Sequence, residues 1–524
     1  MKKYIKIACL SSLLAITACS DDFISNQPYT DKVEDNFYKN PKDALQGLVA
    51  VYDVLQREGY GGFLLNTETA SDDCYGGFGT ADSNVALELD RFQFVTDKEM
   101  NNPIWQTCYL GIYRANILLE NLDKVDWGTQ PELKTQYEAE ARFLRAHFHF
   151  ELARVFGDIV PLDHTLKPNE FQTPRAEAAV TYALIASDFK FAADNLSTAN
   201  YSQPSNTNYG RVTKWAAEAY LAKAFLFYTD YYEQPDLAGV VTKADAVNYI
   251  NDVVNNSGHG LIADFRTLWV NSAASSGVTY AGEGNTEMVF AIRYNSSGNA
   301  DWNLHEGNRF AVNIAIRGGD LATYGQGWGG APVTPSLYEA YSSGDTRRDA
   351  TIIDFAGEGL DFDATARGQR QYTGYAWKKF CPISAEVANN GGDFQIDNYE
   401  DYPVIRFSDV LLMAAELNLD SNAGFAQTCL DRVRERAFGN TTNSIPATKA
   451  NIMNERRLEL ALEGHRWFDL IRQDMNTTKA AIDATSMPNG FETSFRTETL
   501  GWFALPQSQV LLSNGTITQN PGWN

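Results

Sequence analysis

The sequence predicts a mainly α-helical protein in which helical pairs form a scaffold for a large irregular, loop-rich region. Three observations predict it. Helix-period runs rich in Ala, Leu and aromatic residues recur from residue 40 to 232 and again from 406 to 472. Between about residues 257 and 393, Gly, Asn, Ser and aromatic residues dominate, with one plausible strand at 287–294. At 524 residues, 44% hydrophobic and 12% aromatic, the chain suits two intimately packed regions and is too apolar to be disordered.

In chain order, Asn40-Pro41 opens a helix through Ala44, Leu48, Val51 and Leu55, a polar cap followed by proline in the first turn. Residues 69–79, with Asp72, Asp73, Tyr75, Phe78 and three glycines, read as a loop. Residues 104–122 read as helix, and Pro131 starts a long one that Gly157 and Pro161 end. Two more follow at 176–196 and 213–232. In the second of these, Ala216, Ala219, Ala222 and Ala224 alternate with Tyr220, Phe225 and Phe227, so neighbouring helices can approach and interlock. Helices of this size and composition resemble tetratricopeptide-type pairs. Beyond the irregular region, helices resume at 406–419 and 423–438.

The densest stretch is 454–472, NERRLELALEGHRWFDLIR, expected as one helix because it lacks proline and is rich in Leu, Glu and Arg. Its apolar residues form no single stripe, which predicts burial on several sides. Glu455, Glu459 and Glu463 recur every four residues, a like-charge row unfavourable alone. Arg456 lies three before Glu459 and Arg466 three after Glu463, so these five are expected to form a structural ion network rather than a catalytic carboxylate cluster.

The formal charge of −23 disfavours nucleic acid and anionic lipid as electrostatic partners. The N-terminus offers another route to a membrane. Lys2, Lys3 and Lys6 precede a short apolar run, 7–17, well under the roughly 20 residues that span a bilayer. Small residues then lead into Cys19, a boundary that resembles the lipobox of bacterial lipoproteins, in which the cysteine is acylated. Ser20-Asp21-Asp22 resembles the acidic tag that sends some lipoproteins to the outer cell surface. The expected organisation is a signal peptide at 1–18, a lipid-anchored tether at 19–35, an N-terminal helical region at 36–260 and a C-terminal region at 261–524. Cys74, Cys108, Cys381 and Cys429 form no CxxC or Cys/His ligand pattern, so no zinc or redox motif is expected and no disulfide pairing follows.

Several segments together resemble the SusD/RagB family: 454–472, Arg142-Phe143-Leu144-Arg145-Ala146, the Arg406-Phe407-Ser408-Asp409 run to Glu416, Pro335 to Tyr341 leading to Asp345-Thr346-Arg347, and the Gln519-Asn520-Pro521-Gly522 ending. Their order and spacing agree over essentially the whole mature chain. The resemblance implies a lipid-anchored outer-membrane nutrient-binding protein, not an enzyme, with no cofactor. It implies that the protein binds a glycan or peptide and acts as the lid of a SusC-like TonB-dependent transporter.

Ligand residues vary within that family, so candidates rest on chemistry. Sugars need flat aromatic faces for their C–H surfaces and short polar side chains for their hydroxyls. One group, Asp72, Asp73, Tyr75 and Phe78, lies in the N-terminal glycine-rich loop. A second, Trp269, Tyr280, Trp302, Asn303, His305, Asn308, Tyr324, Gln326 and Trp328, lies in the irregular region, where glycines around Trp328 favour an exposed loop. A glycosidase would need two carboxyls about 5 to 10 Å apart; Asp72/Asp73 or Glu283/Glu287/Glu306 could be imagined there, but no catalytic motif appears. His147 and His149, two apart on a helix, point to opposite sides and suggest packing or interface residues; Asp72-Asp73 could take calcium with backbone carbonyls but lacks the EF-hand spacing, and no metal site is assigned.

Overall fold

This computed structural model describes residues 37–93, 99–201, 210–296, 306–384, 393–488 and 490–523. The chain is mainly α, built of tetratricopeptide-like helical pairs. In the N-terminal half these are α1 (Pro41–Tyr52), α2 (Glu58–Thr69), α3 (Val85–Asp90), α4 (Asn102–Asn121), α5 (Glu132–Phe156), α6 (Ala178–Asn195), α7 (Lys214–Tyr231) and α8 (Lys243–Asn256). From α4 to α8 each packs on the next. Asn40 caps α1, accepting from the N–H groups of Lys42 and Asp43.

Helix α5 is the hub of this half. From Phe143 to Phe156 every residue is buried. The small-beside-large packing is visible where Gly111 of α4 lies flush on Phe148: an added Cβ would stand 2.3 Å from its ring. His147 meets the Tyr220 hydroxyl at 2.7 Å, while His149 accepts from the Leu162 N–H at 3.1 Å and faces the Arg145 carbonyl. Burial pushes both imidazoles down to about 3, so they are neutral packing residues. Gly157 ends α5 with φ +71°.

The irregular region is threaded by short elements. These are α9 (Val270–Ser275), β1 (Met288–Ile292), α10 (Phe310–Ile314), β2 (Ile316–Arg317), β3 (Gln326–Gly327), α11 (Pro335–Ala340), α12 (Arg347–Thr351), β4 (Ile352–Asp354), β5 (Tyr375–Trp377) and β6 (Tyr402–Arg406). β1 pairs antiparallel with β6, β2 parallel with β3, and β4 antiparallel with β5. The chain closes with α13 (Phe407–Leu417), α14 (Ala423–Phe438), α15 (Lys449–Glu459), α16 (Arg466–Ile471), α17 (Met475–Asp483) and α18 (Gln507–Leu512). The four cysteines Cys74, Cys108, Cys381 and Cys429 are buried free thiols. Among the described residues no helix is long and apolar enough to cross a membrane.

The expected single helix at 454–472 is two helices, α15 and α16, joined by a buried turn in which Leu462 (φ +65°) and Gly464 (φ +78°) are left-handed. The break explains the missing stripe, because residues on either side of it belong to different axes. Side chains consume the turn's backbone groups. Lys379 donates to the Ala461 carbonyl at 2.8 Å, Arg406 to the Glu459 carbonyl at 2.9 Å, Tyr402 to the Glu463 carbonyl at 2.9 Å, and Glu68 accepts the Gly464 N–H at 2.6 Å.

The three glutamates of this stretch are buried and paired with residues far off in the chain, while Arg472 pairs along its own helix with Asp469 at 3.0 Å. Arg406 donates to Glu463 at 2.7 Å, to Glu459 at 2.9 Å and to Glu287. Arg347 binds Glu455 at 2.6 Å and Glu459 at 3.2 Å, and Arg436 also reaches Glu459. Lys379 binds Glu463 at 2.6 Å. Arg456, expected beside Glu459, instead binds Asp409 at 2.6 Å and Asp469 at 2.8 Å. Arg466, expected beside Glu463, binds Asp72 at 2.6 Å. Burial alone would raise the Glu459 carboxyl, but Arg436, Arg406 and Arg347 outweigh it and hold the group far below the usual range.

Removing one buried charge from such a cluster strands its partners. Glu459→Gln, nearly isosteric, should lower stability by about 3–5 kcal/mol in the first transition of a urea titration. A loss under ~1 kcal/mol would show that Arg347, Arg406 and Arg436 do not depend on it. Glu68 gives a second test. Burial pushes its carboxyl up to about 8, so it stays protonated in the fold at neutral pH while the unfolded chain ionises near 4.5. Unfolding then releases a proton, and stability should fall as pH rises from 5 to 8, by up to about 1.4 kcal/mol per pH unit from this group. Thermal melts across that range should show a shallower fall for Glu68→Gln; an unchanged slope would assign the effect elsewhere.

Candidate functional site

Six of the candidates chosen on chemical grounds lie inside the protein, Asn308 among them. Asp72, Asp73 and Tyr75 are buried, as are Trp269 and Tyr324. Asp72 holds Arg466 through both oxygens, at 2.6 and 2.8 Å, and Asp73 meets Arg457 at 2.7 Å. Two arginines facing the loop thus draw both carboxylates inward, where they anchor it and are not free for sugar hydroxyls. Tyr75 donates to the Thr485 carbonyl at 2.7 Å. The Lys379 ammonium sits 4.2 Å from the Trp269 ring centre, and the Tyr324 hydroxyl donates to Glu358 at 2.6 Å. These aromatic rings pack; they present no platform. Tyr280 is tied to Glu283, and buried Asn308 donates to the Glu400 carbonyl at 2.8 Å. Trp302, Asn303, His305 and Cys19 lie outside the described residues.

Phe78 and Trp328 are the two candidates that the fold brings together. Both are half-buried, and both line an open cleft of about 460 Å³ with Asp82, Arg317, Gly318, Gly327 and Arg367. That volume falls in the range typical of small-ligand sites, about 300–1,000 Å³. Three backbone hydrogen bonds tie together the four segments that build it. The Phe78 N–H donates to the Gly329 carbonyl at 2.9 Å, the Arg370 N–H to the Phe78 carbonyl at 2.9 Å, and the Trp328 N–H to the Val312 carbonyl at 2.8 Å.

Glycines permit this approach. A Cβ on Gly79 would stand 1.7 Å from the Arg317 guanidinium, and one on Gly330 would stand 2.6 Å from the Phe78 ring. Phe78 itself is left-handed, φ +61°, an uncommon state for an aromatic residue that aims its ring at the cleft. Gln371 braces the loop from below, accepting the Gly77 N–H at 2.9 Å and donating to buried Asp90 at 2.6 Å.

Arg317 and Arg367 carry no signal in the sequence. The guanidinium of Arg317 donates to Asp82 at 2.8 Å, to the Trp328 carbonyl at 2.9 Å and to the Arg367 carbonyl at 3.0 Å. Arg367 in return donates to the Arg317 carbonyl at 2.7 Å. Burial pushes the Asp82 carboxyl upward, but the Gly79 N–H and Arg317 outweigh it and hold its pKa below the usual range. The cleft therefore offers two flat apolar faces, two fixed guanidinium groups and one carboxylate that stays ionised. Such a surface fits a neutral polyhydroxylated ligand, stacked through C–H faces and bonded at its hydroxyls. Among the described residues, no group of three or more His, Cys, Asp or Glu is placed to hold a metal ion.

Known proteins show the same plan. A model described as the SusD family matches residues 286–523, and one described as starch-binding associating with outer membrane matches residues 22–226. A SusD-like protein of Bacteroides ovatus is 26% identical over 494 residues, covering 90% of this chain and 82% of its own. Among solved structures, a laminarin binding SusD-like protein superposes with a TM-score of 0.76 at 28% identity, over 93% of this chain and 100% of its own. Surface glycan-binding protein A from Bacteroides thetaiotaomicron, in complex with laminarihexaose, superposes with a TM-score of 0.76 at 22% identity, over 91% of this chain and 99% of its own. With the two halves of the chain matched by these models and the whole fold matched by these structures, the chain belongs to the SusD/RagB family.

Proposed function

We propose that the protein captures a neutral glycan at the Phe78–Trp328 cleft and does not cleave it. The observation that carries this reading is the meeting of Phe78 and Trp328, 250 positions apart in the chain, on one cleft whose other polar side chains are Asp82, Arg317 and Arg367. Hydrolysis would need a pair of carboxyls, one of them protonated. Among the described residues Asp82 is the one carboxylate lining this cleft, and its contacts with Gly79 and Arg317 favour the ionised form. Of the carboxyls imagined in that role from sequence, Asp72 and Asp73 hold arginines, and Glu287 holds Arg406 and Arg436. The laminarin-binding relative, at 28% identity, makes laminarin the first ligand to test.

The site stands within a larger proposal. The chain is anchored to the outer membrane through acylated Cys19, faces the cell exterior, and serves as the lid of a SusC-like TonB-dependent transporter that receives the glycan. The lipobox-like boundary at Cys19, the acidic residues after it and the family membership support this.

Isothermal titration with laminarin, a polysaccharide panel and an oligopeptide pool tests the capture reading. Saturable binding to a glycan is expected, with Trp328→Ala weakening it at least tenfold. The melting temperature should stay within about 2 °C, as for surface changes of roughly 0.5 kcal/mol. Silence toward glycans with saturable peptide binding would overturn it. Cys19→Ala should move the protein out of the membrane fraction, and retention there would refute the anchor.

A further inference from the structure

We propose that the binding face extends beyond the Trp328 cleft to a second aromatic platform, the Phe362–Tyr372 stack, which holds a distal ring of the same glycan chain. The proposal rests on the capture reading above and assigns an additional subsite to it.

The platform belongs to the lobe between β4 and β5. Phe355 is buried and anchors it. The rings of Phe362 and Tyr372 stack at 5.2 Å with an interplanar angle of 23°, and Phe355 lies 4.7 Å from Phe362. A ring trio that served packing alone would be expected to close over its outer member. Here Tyr372 is 38% exposed, one of few large apolar side chains left open among the described residues. The neighbouring Tyr338–Tyr375 stack makes the contrast: Tyr338 donates to Asp354 at 2.8 Å and lies under the Arg348 guanidinium at 4.8 Å, so that pair is fastened.

Two arginines join the platform to the cleft. Arg367 lines the cleft, and its guanidinium lies 5.0 Å from the Phe362 ring centre. Arg317 borders both the cleft and a smaller hollow walled by Phe355, Phe362 and Tyr372. The chain of contacts Trp328, Arg317, Arg367, Phe362, Tyr372 sets a pair of guanidinium donors between aromatic faces at its two ends. A chain of linked sugar rings presents the matching pattern, C–H faces separated by hydroxyl edges. A single monosaccharide occupies one such unit; only an oligosaccharide engages both.

Laminaribiose and laminarihexaose serve as probes in titrations of the full mature chain. The hexaose should bind at least tenfold more tightly than the biose. Tyr372→Ala should remove most of that advantage and leave the biose unchanged, Tyr372→Phe should keep it, and Trp328→Ala should weaken both sugars. A second measurement needs no variant. Nitration of Tyr372 by tetranitromethane, read by mass spectrometry, should be slowed several-fold by saturating hexaose and unaffected by the biose. Wild-type hexaose affinity in Tyr372→Ala, or nitration indifferent to the hexaose, would overturn the second platform while Trp328 dependence kept the cleft. Failure of the wild-type protein to bind these sugars would overturn the second platform, and failure with every glycan of the panel would overturn both readings.

Discussion

The Arg406 guanidinium, fully buried, is the constraint on which the rest of this structure depends. It ends β6 and faces Glu287 at the start of β1, Glu459 at the end of α15 and Glu463 in the turn after it. Withdrawing such a group from water is costly, and the cost is offset only when each donor finds an acceptor and each carboxylate a second cation. Lys379, Arg347 and Arg436 complete that condition. The cluster adds little net stability compared with an apolar core. Its effect is to admit one arrangement, since any shift of a strand or helix leaves a charge unpaired.

That arrangement reaches the ligand site through the same turn. Gly464 presents its N–H to Glu68, and Arg457 and Arg466, flanking the turn, grip Asp73 and Asp72. Those carboxylates open the loop that runs through Cys74, bridged to Val333, and Gly77, bridged to Gly330, before ending at Phe78 against Gly329. Phe78 follows Asp72 by six positions, and the backbone between them is fastened on both sides. A neutral ligand gives no charge for long-range steering, so affinity has to come from faces already held in position. The left-handed Phe78 is a local strain that this fastening makes tolerable.

The long helices are legible in the sequence because their signals are local: Asn40 before Pro41, the run from Phe143 to Phe156, and Gly157 as a stop. Helix α8 is not among the expected elements, although its signals are equally local, with Thr242 and Asp245 forming a capping box ahead of Ala246, Ile250 and Val253. Helix α2 is illegible in a stronger sense, since three glycines within it argue against a helix and tertiary packing overrides them. The 454–472 stretch misleads because its helix propensity is real, whereas the turn that divides it is imposed by Lys379, Arg406, Tyr402 and Glu68, all distant in the sequence.

The site divides along the same line. Phe78 and Trp328 stand out as aromatic residues among glycines, a pattern that marks exposed loops. Asp72 and Asp73 belong to the same glycine-rich loop as Phe78 and read as equally open, and only the arrangement of Arg457 and Arg466 turns them inward. Arg317 and Arg367 have no signature, because an isolated arginine in an irregular region has no period to betray its partner. What holds them at the cleft is partly mutual: each donates to the other's backbone carbonyl, beside the bonds of Arg317 to Asp82 and the Trp328 carbonyl and of Arg367 to the Gly319 carbonyl. Side chains positioned by such reciprocal long-range bonds are invisible to local pattern, and here they supply the polar half of the surface whose apolar half the sequence discloses.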